Sequence, residues 1–244
     1  MTAFEQVAAR DPKSTLLLLC DHAAAALPES FGLLGLDPAL FQTHIAYDIG
    51  AAQVTRALSR HFGASALLGR WSRLLIDLNR GPDDPTLVMK LSDGSIIPGN
   101  RDADAAEVAR RIRDYYDPYH AAITAELDRI SPKAVLISIH SFTPSWKGQA
   151  RPWEVGVLWD TDKRLAKPLM ARLSQHAFLY GDNEPYSGAL ENDCLNRHGT
   201  KRSLPHVLVE IRQDLIATEE MATNFASRIY HILAAALGDM ERIR

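Results

Sequence analysis

Along the chain, short unbroken apolar runs alternate with longer stretches in which apolar positions recur every three or four residues. Thr15–Cys20 (TLLLLC) and Ala134–Ile139 (AVLISI) are aliphatic runs of strand length, the pattern of strands covered on both faces. Leu74–Leu78, Glu154–Trp159 and Val207–Ile211 read as further strands, the last two rich in Val, Ile and Trp. Between them, Asp37-Pro38 has the form of an N-cap followed by proline at the first helical position, and predicts a helix running towards His61 and stopping at Gly63. Asp104–Ile130 reads as helix, with a kink or break at Pro118. Lys163–His176 and Thr218–Leu237 are two more, the last opening on Glu219 and Glu220, where the helix dipole favours negative charge.

Strands alternating with helices imply a mostly parallel sheet covered on both sides, and no linker, repeat or low-complexity tract divides it, so a single domain over residues 1–244 is expected. Two segments, Gly81–Asp102 and Asn183–Pro205, are rich in Pro, Gly, Asp, Asn and Ser and long for plain connections, which marks them as binding loops or lids.

Composition adds exclusions. With 46% hydrophobic and 23% charged residues among 244, the chain has apolar surface enough to offset the entropy of ordering. A formal charge of −3 without a basic block argues against nucleic acid as partner. No apolar run is long enough to span a membrane. The first apolar stretch, Leu16–Cys20, is too short for a signal-peptide core, and Cys20 and Cys194 cannot build a disulfide framework, so a cytoplasmic protein is expected.

In an open parallel sheet, ligands bind at the carboxyl ends of the strands. Asp21-His22 follows the first run, Asn79-Arg80 follows Leu74–Leu78, His140-Ser141 follows Ala134–Ile139, and Glu210 with Arg212 ends Val207–Ile211. Two histidines at separate strand ends suit a zinc site, which takes two imidazoles and a carboxylate and leaves a position for water. Asp48 would supply the carboxylate; His44, four residues earlier and so on the same helix face, is the other candidate. A carboxylate in the aliphatic string VLVEI needs a partner or a chemical role. Glu210 is therefore either a general base of raised pKa or half of an ion pair with Arg212 or Arg80. The chain has no G-x-S-x-G, H-E-x-x-H or phosphate-binding glycine loop.

The strings CDHAAAALP (Cys20–Pro28), HIAYDIGA (His44–Ala51), SRLLIDLNR (Ser72–Arg80), ISIHSFTP (Ile137–Pro144), DNEPYSG (Asp182–Gly188), RHG (Arg197–Gly199) and LPHVLVEIRQDL (Leu204–Leu215) resemble the N-formylglutamate amidohydrolase family in order and spacing. The resemblance implies a zinc hydrolase that cleaves N-formyl-L-glutamate to formate and glutamate, a step of histidine degradation. A more distant likeness to zinc carboxypeptidases and aspartoacylases implies a three-layer α-β-α fold with a central mixed, mostly parallel sheet. It also implies His140 as a zinc ligand, Asn79 and Arg80 as substrate-binding residues, and Glu210 as base. Those enzymes take two ligands from H-x-x-E; here His22 is followed three residues later by Ala25, which leaves Asp48 to complete the set.

The expected mechanism has Zn²⁺ on His22, Asp48 and His140, Glu210 moving the proton, and Arg80 steadying the oxyanion or gripping the α-carboxylate with help from Asn79. His198 or Arg212 would bind the side-chain carboxylate of a small N-acyl amino acid. Two rival readings are a deacylase for another N-acyl amino acid and a non-catalytic module binding a metal or an acidic metabolite.

Overall fold

A computed structural model describes residues 2–130 and 132–243. Its centre is a seven-stranded mixed sheet built from β1 (Phe4–Val7), β2 (Leu16–Cys20), β3 (Ser65–Gly69), β4 (Val135–Phe142), β5 (Val155–Leu158), β6 (Tyr180–Asp182) and β7 (His206–Arg212), in the order β1-β3-β2-β4-β7-β5-β6. The inner strands β3, β2, β4 and β7 run parallel; β1 is antiparallel to β3, and β5 is antiparallel to β7. Every residue of β2 and β4 is buried, as their unbroken apolar runs require.

Alternate residues of these strands feed two cores. On one face Leu16, Leu18, Ile137, Val209 and Ile211 pack against α1 (Ala51–Phe62), α4 (Ala166–Gln175) and α6 (Glu219–Ile243). On the other, Leu17, Leu19, Leu136 and Leu208 meet a helical arm and the short α5 (Cys194–His198). The arm comprises α2 (Ala105–Arg111), a π-helical turn (Ile112–Tyr116) and α3 (Asp117–Ile130). The result is the three-layer α-β-α architecture with a mixed, mostly parallel sheet. Pro118 neither breaks nor ends the arm. The π turn just before it widens the helix where the proline ring would otherwise meet the Asp114 carbonyl.

Three expectations are corrected. Leu74–Leu78 is not a strand: it is a buried run of turns, and Ser65–Gly69 takes the place beside β2. Its carbonyls are satisfied from outside the sheet, Leu74 by Asn100 Nδ2 (2.7 Å) and Leu75 by Arg111 Nη1 (2.8 Å). The helix from Pro38 does not continue to His61. Asp37 caps it, accepting from the Ala39 N–H at 2.8 Å, but only a 3₁₀ turn (Pro38–Gln42) forms, and α1 starts afresh at Ala51. The break lies at Gly50, whose φ of +80° is left-handed and whose Cβ, if it had one, would lie 2.1 Å from the Ile216 carbonyl oxygen. Lastly, α6 runs six residues past Leu237, because Met240 continues the buried stripe of Leu233 and Ala236.

Candidate metal centre and active-site pocket

The parallel register of β7 on β4 sets Glu210 directly beside His140. Both lie on the sheet face opposite Val209 and Ile139, near the carboxyl ends of their strands, where β2 also delivers Asp21 and His22. The break at Gly50 lets residues 43–50 cross these strand ends and lower Asp48 into the group. Asp48 is clamped there by its own N–H on the His22 carbonyl (2.9 Å) and by the Ser141 N–H on its Oδ2 (3.3 Å).

Both imidazoles turn Nδ1 to one oxygen, Asp48 Oδ2, at 3.3 Å from His22 and 2.8 Å from His140. Their Nε2 atoms point away, His22 to Asp77 Oδ1 (2.7 Å) and His140 to Asp21 Oδ2 (3.1 Å). The rings sit edge to face, 5.0 Å between centroids. A carboxylate on Nε2 fixes the proton there and frees the Nδ1 lone pair, the outer-shell arrangement of metal-ligating histidines. Ligand atoms of His22, Asp48 and His140 all lie within 4.8 Å of one another. Burial opposes charging either imidazole, yet the surrounding carboxylates outweigh it and hold both pKa values above the ordinary range. The group therefore demands positive charge where its two Nδ1 atoms meet. Two nitrogens, one carboxylate and that demand fit a divalent ion of the zinc type.

Further residues complete the centre. Arg73, which no sequence motif singles out, forks Asp77 at 2.8 and 3.2 Å and reaches Asp48 Oδ1 at 3.4 Å. The Asp77 carboxyl, though buried, stays well below its usual range because Arg73 and His22 outweigh desolvation. Tyr119 donates to Asp21 Oδ1 at 2.8 Å. No spacing rule would have found Arg73, because its partner Asp77 lies in a turn that reads as a strand.

A cavity of about 250 Å³ opens onto this centre, lined by Arg80, Asn79, Tyr186, Leu158 and Asp193 among others. Glu210 faces it with Oε2 buried and without a hydrogen-bond partner; burial pushes its pKa up to about 7. Neither ion pair considered for Glu210 forms. Arg80 instead bonds the Asn79 carbonyl at 2.9 Å and Thr86 Oγ1 at 3.3 Å. Arg212 forks Asp214 and the Pro152 carbonyl, outside the cavity. His198 is likewise not brought to the cavity: α5 turns it inward, onto His120 at 2.8 Å. His44 lines the cavity rim and pairs with Asp93 at 3.3 Å, so Asp48, not His44, reaches both imidazoles.

Among the described residues no helix is long and apolar enough to cross a membrane. The chain is similar over 99% of its length to the crystal structure of a gene product from Agrobacterium tumefaciens, of which 97% is covered (34% identity, TM-score 0.91). It shares its fold with an N-formylglutamate amidohydrolase from Ralstonia eutropha JMP134 (21% identity, 100% and 99% of the chains covered, TM-score 0.73). A bacteriophage poly-γ-glutamate hydrolase is more distant (12% identity, 100% and 92% covered, TM-score 0.52). A search of curated proteins returned no match. The model of the N-formylglutamate amidohydrolase family matches residues 14–217, a span that contains every side chain of the centre described above. The chain therefore belongs to that family, whose members hydrolyse amide bonds.

Proposed function

We propose that this protein is a zinc-dependent amidohydrolase that removes the N-formyl, or a related small N-acyl, group from an acidic amino acid, with N-formyl-L-glutamate giving formate and glutamate. The observation that carries the reading is the meeting of two carboxylate-backed Nδ1 atoms on Asp48 Oδ2, beside an unpartnered carboxyl in one cavity. His22 and His140 through Nδ1, and Asp48 through its carboxylate, would hold the ion. Bound there, zinc supplies a water of lowered pKa and a Lewis acid for the amide carbonyl.

Glu210 Oε2 receives a proton from the attacking water and returns it to the leaving nitrogen. The C–N bond then breaks after the new C–O bond has formed, and the amine departs neutral. A pKa near 7 suits a group that must do both. Arg80 offers its planar fork to the substrate's α-carboxylate or to the developing oxyanion. Asn79 Oδ1 is engaged by the Cys194 N–H at 3.2 Å, which leaves its amide N–H₂ as a donor to substrate. A cavity of about 250 Å³ is of a size for one small amino acid derivative.

Formate release from N-formyl-L-glutamate, with and without prior chelation, tests the reading against a panel of N-formyl-aspartate, N-acetyl-glutamate and N-formyl-leucine. The expected result is turnover that needs zinc and prefers the acidic formyl substrates. Full activity in metal-free protein would remove the metal from the mechanism. Faster turnover of the neutral or acetyl compounds would move the substrate class, and zinc binding without turnover of any compound would leave a binding module.

A further inference from the structure

A second group of metal-ligand side chains lies in the protein, separate from the catalytic centre. His120 of α3 and Cys194 and His198 of α5 are all buried, and each offers a donor atom within 4.8 Å of the other two. Cys194 and His198 stand four residues apart, the spacing that puts two side chains on one helix face. His120 enters from the facing helix, its Nδ1 2.8 Å from His198 Nε2, with the two rings nearly parallel at 12°.

Hydrogen bonding accounts for this group only in part. Two neutral imidazoles joined by one bond share one proton, and the other nitrogen of His120, Nε2, is buried and makes no hydrogen bond of good geometry, the Leu78 backbone being its one polar contact. An unsatisfied imidazole nitrogen in an apolar layer is destabilising unless something else occupies it. Neutral imidazole and thiolate are the donors a borderline-soft ion prefers, and magnesium or calcium would not choose them.

We propose that His120, Cys194 and His198 form a second zinc site that ties α5 to α3. With three protein donors, one position of a tetrahedral ion is left over, and uptake releases the Cys194 proton to solvent. The site would anchor the segment that frames the catalytic cavity. Asp193, which caps α5, and Tyr186, Gly188 and Leu190 before it all line that cavity, and the Cys194 N–H holds Asn79. The inference does not depend on the substrate or on the amidohydrolase reading.

Cobalt separates the two sites, since only this one contains sulfur. Full-length protein, stripped and reloaded with Co²⁺, is expected to bind two equivalents and to show a thiolate-to-cobalt charge-transfer band in the near ultraviolet. The double substitution His22→Ala/His140→Ala should leave one equivalent with the band intact. Cys194→Ser should lose the band and one equivalent, while Cys20→Ser, the control for the other thiol, changes nothing. Should Cys194→Ser not fold, the double variant alone decides. A single equivalent in the parent, with no thiolate band, or a band abolished by the double variant, overturns the proposal.

Discussion

Glu210 and His140 are register partners on adjacent parallel strands, so the carboxyl proposed to carry the proton and an imidazole proposed as metal ligand are held side by side by backbone hydrogen bonds. Their spacing is a property of the sheet and not of a loop, which is how a site is kept rigid. Glu210→Gln preserves size and burial and removes only the capacity to take a proton. Its turnover of N-formylglutamate is expected to fall by at least ~100-fold with zinc content unchanged. Steady-state kinetics with metal analysis checks this, and activity within threefold of the parent would take Glu210 out of the mechanism.

Asp21 and Asp77 do not line the cavity, yet each accepts from the Nε2 of a histidine proposed as a ligand, His140 at 3.1 Å and His22 at 2.7 Å. Replacing such an outer partner typically weakens metal binding by about 10–100-fold. Asp21→Asn is therefore expected to raise the zinc dissociation constant of the catalytic centre within that range, measured by competition with a chromophoric chelator. Asp77→Asn should do more harm, because it also strips Arg73 of its main counter-charge. Unchanged zinc affinity in both variants would mean that the imidazoles are oriented by packing alone.

Much of this centre is legible in the sequence, and the illegible part has a physical cause. His22, His140 and Glu210 follow or end strands that sit inside the sheet, so periodicity and the strand-end rule find them together. Asn79 and Arg80 reach the cavity by a different route. The run before them is apolar because it is buried under the helical arm, and burial without a ladder looks the same as burial within one. His198 misleads for a related reason. A histidine in a polar loop reads as accessible, but the loop folds a single helical turn that points it inward. Arg73, Asp21 and Asp77 act through other side chains, and one-dimensional spacing carries no record of that.

The position of Asp48 rests on Gly50. At φ +80° a side chain is strained in any surroundings, and here a Cβ would also meet the Ile216 carbonyl oxygen at 2.1 Å. Gly50→Ala must shift the turn that carries Asp48 or push Ile216 away. We expect a loss of at least ~2 kcal/mol in stability by denaturant unfolding. Zinc affinity should weaken as well, because Asp48 is two residues away. Parental stability and parental zinc binding in Gly50→Ala would show that the break between the 3₁₀ turn and α1 does not place the ligand.

Arg111 is a buried cation that secures the turns leading to Asn79 and Arg80. It donates to the Leu75 carbonyl at 2.8 Å and to Asn100 Oδ1 at 2.7 Å, and Asn100 in turn holds the Leu74 and Met89 carbonyls. Its charge is balanced by Glu107 at 2.8 Å, which Arg110 also forks. Hydrogen bonding from Arg110, the largest effect, together with that from Arg111 outweighs burial and holds the Glu107 carboxyl at about 2, below its ordinary 4.5. A carboxyl whose pKa falls on folding stabilises the native state fully above its unfolded value, and that stabilisation disappears as pH drops through the folded value. The contribution of Glu107 is thus present at pH 7 and fades between about pH 4.5 and 2. Allowing for partial solvent screening, Glu107→Gln should cost about 1–2 kcal/mol at pH 7. Denaturant unfolding of parent and variant across that range should show the two curves converging as acid is added. A gap that stays constant down to pH 2 would mean that Glu107 acts through packing and not through its charge on Arg110 and Arg111.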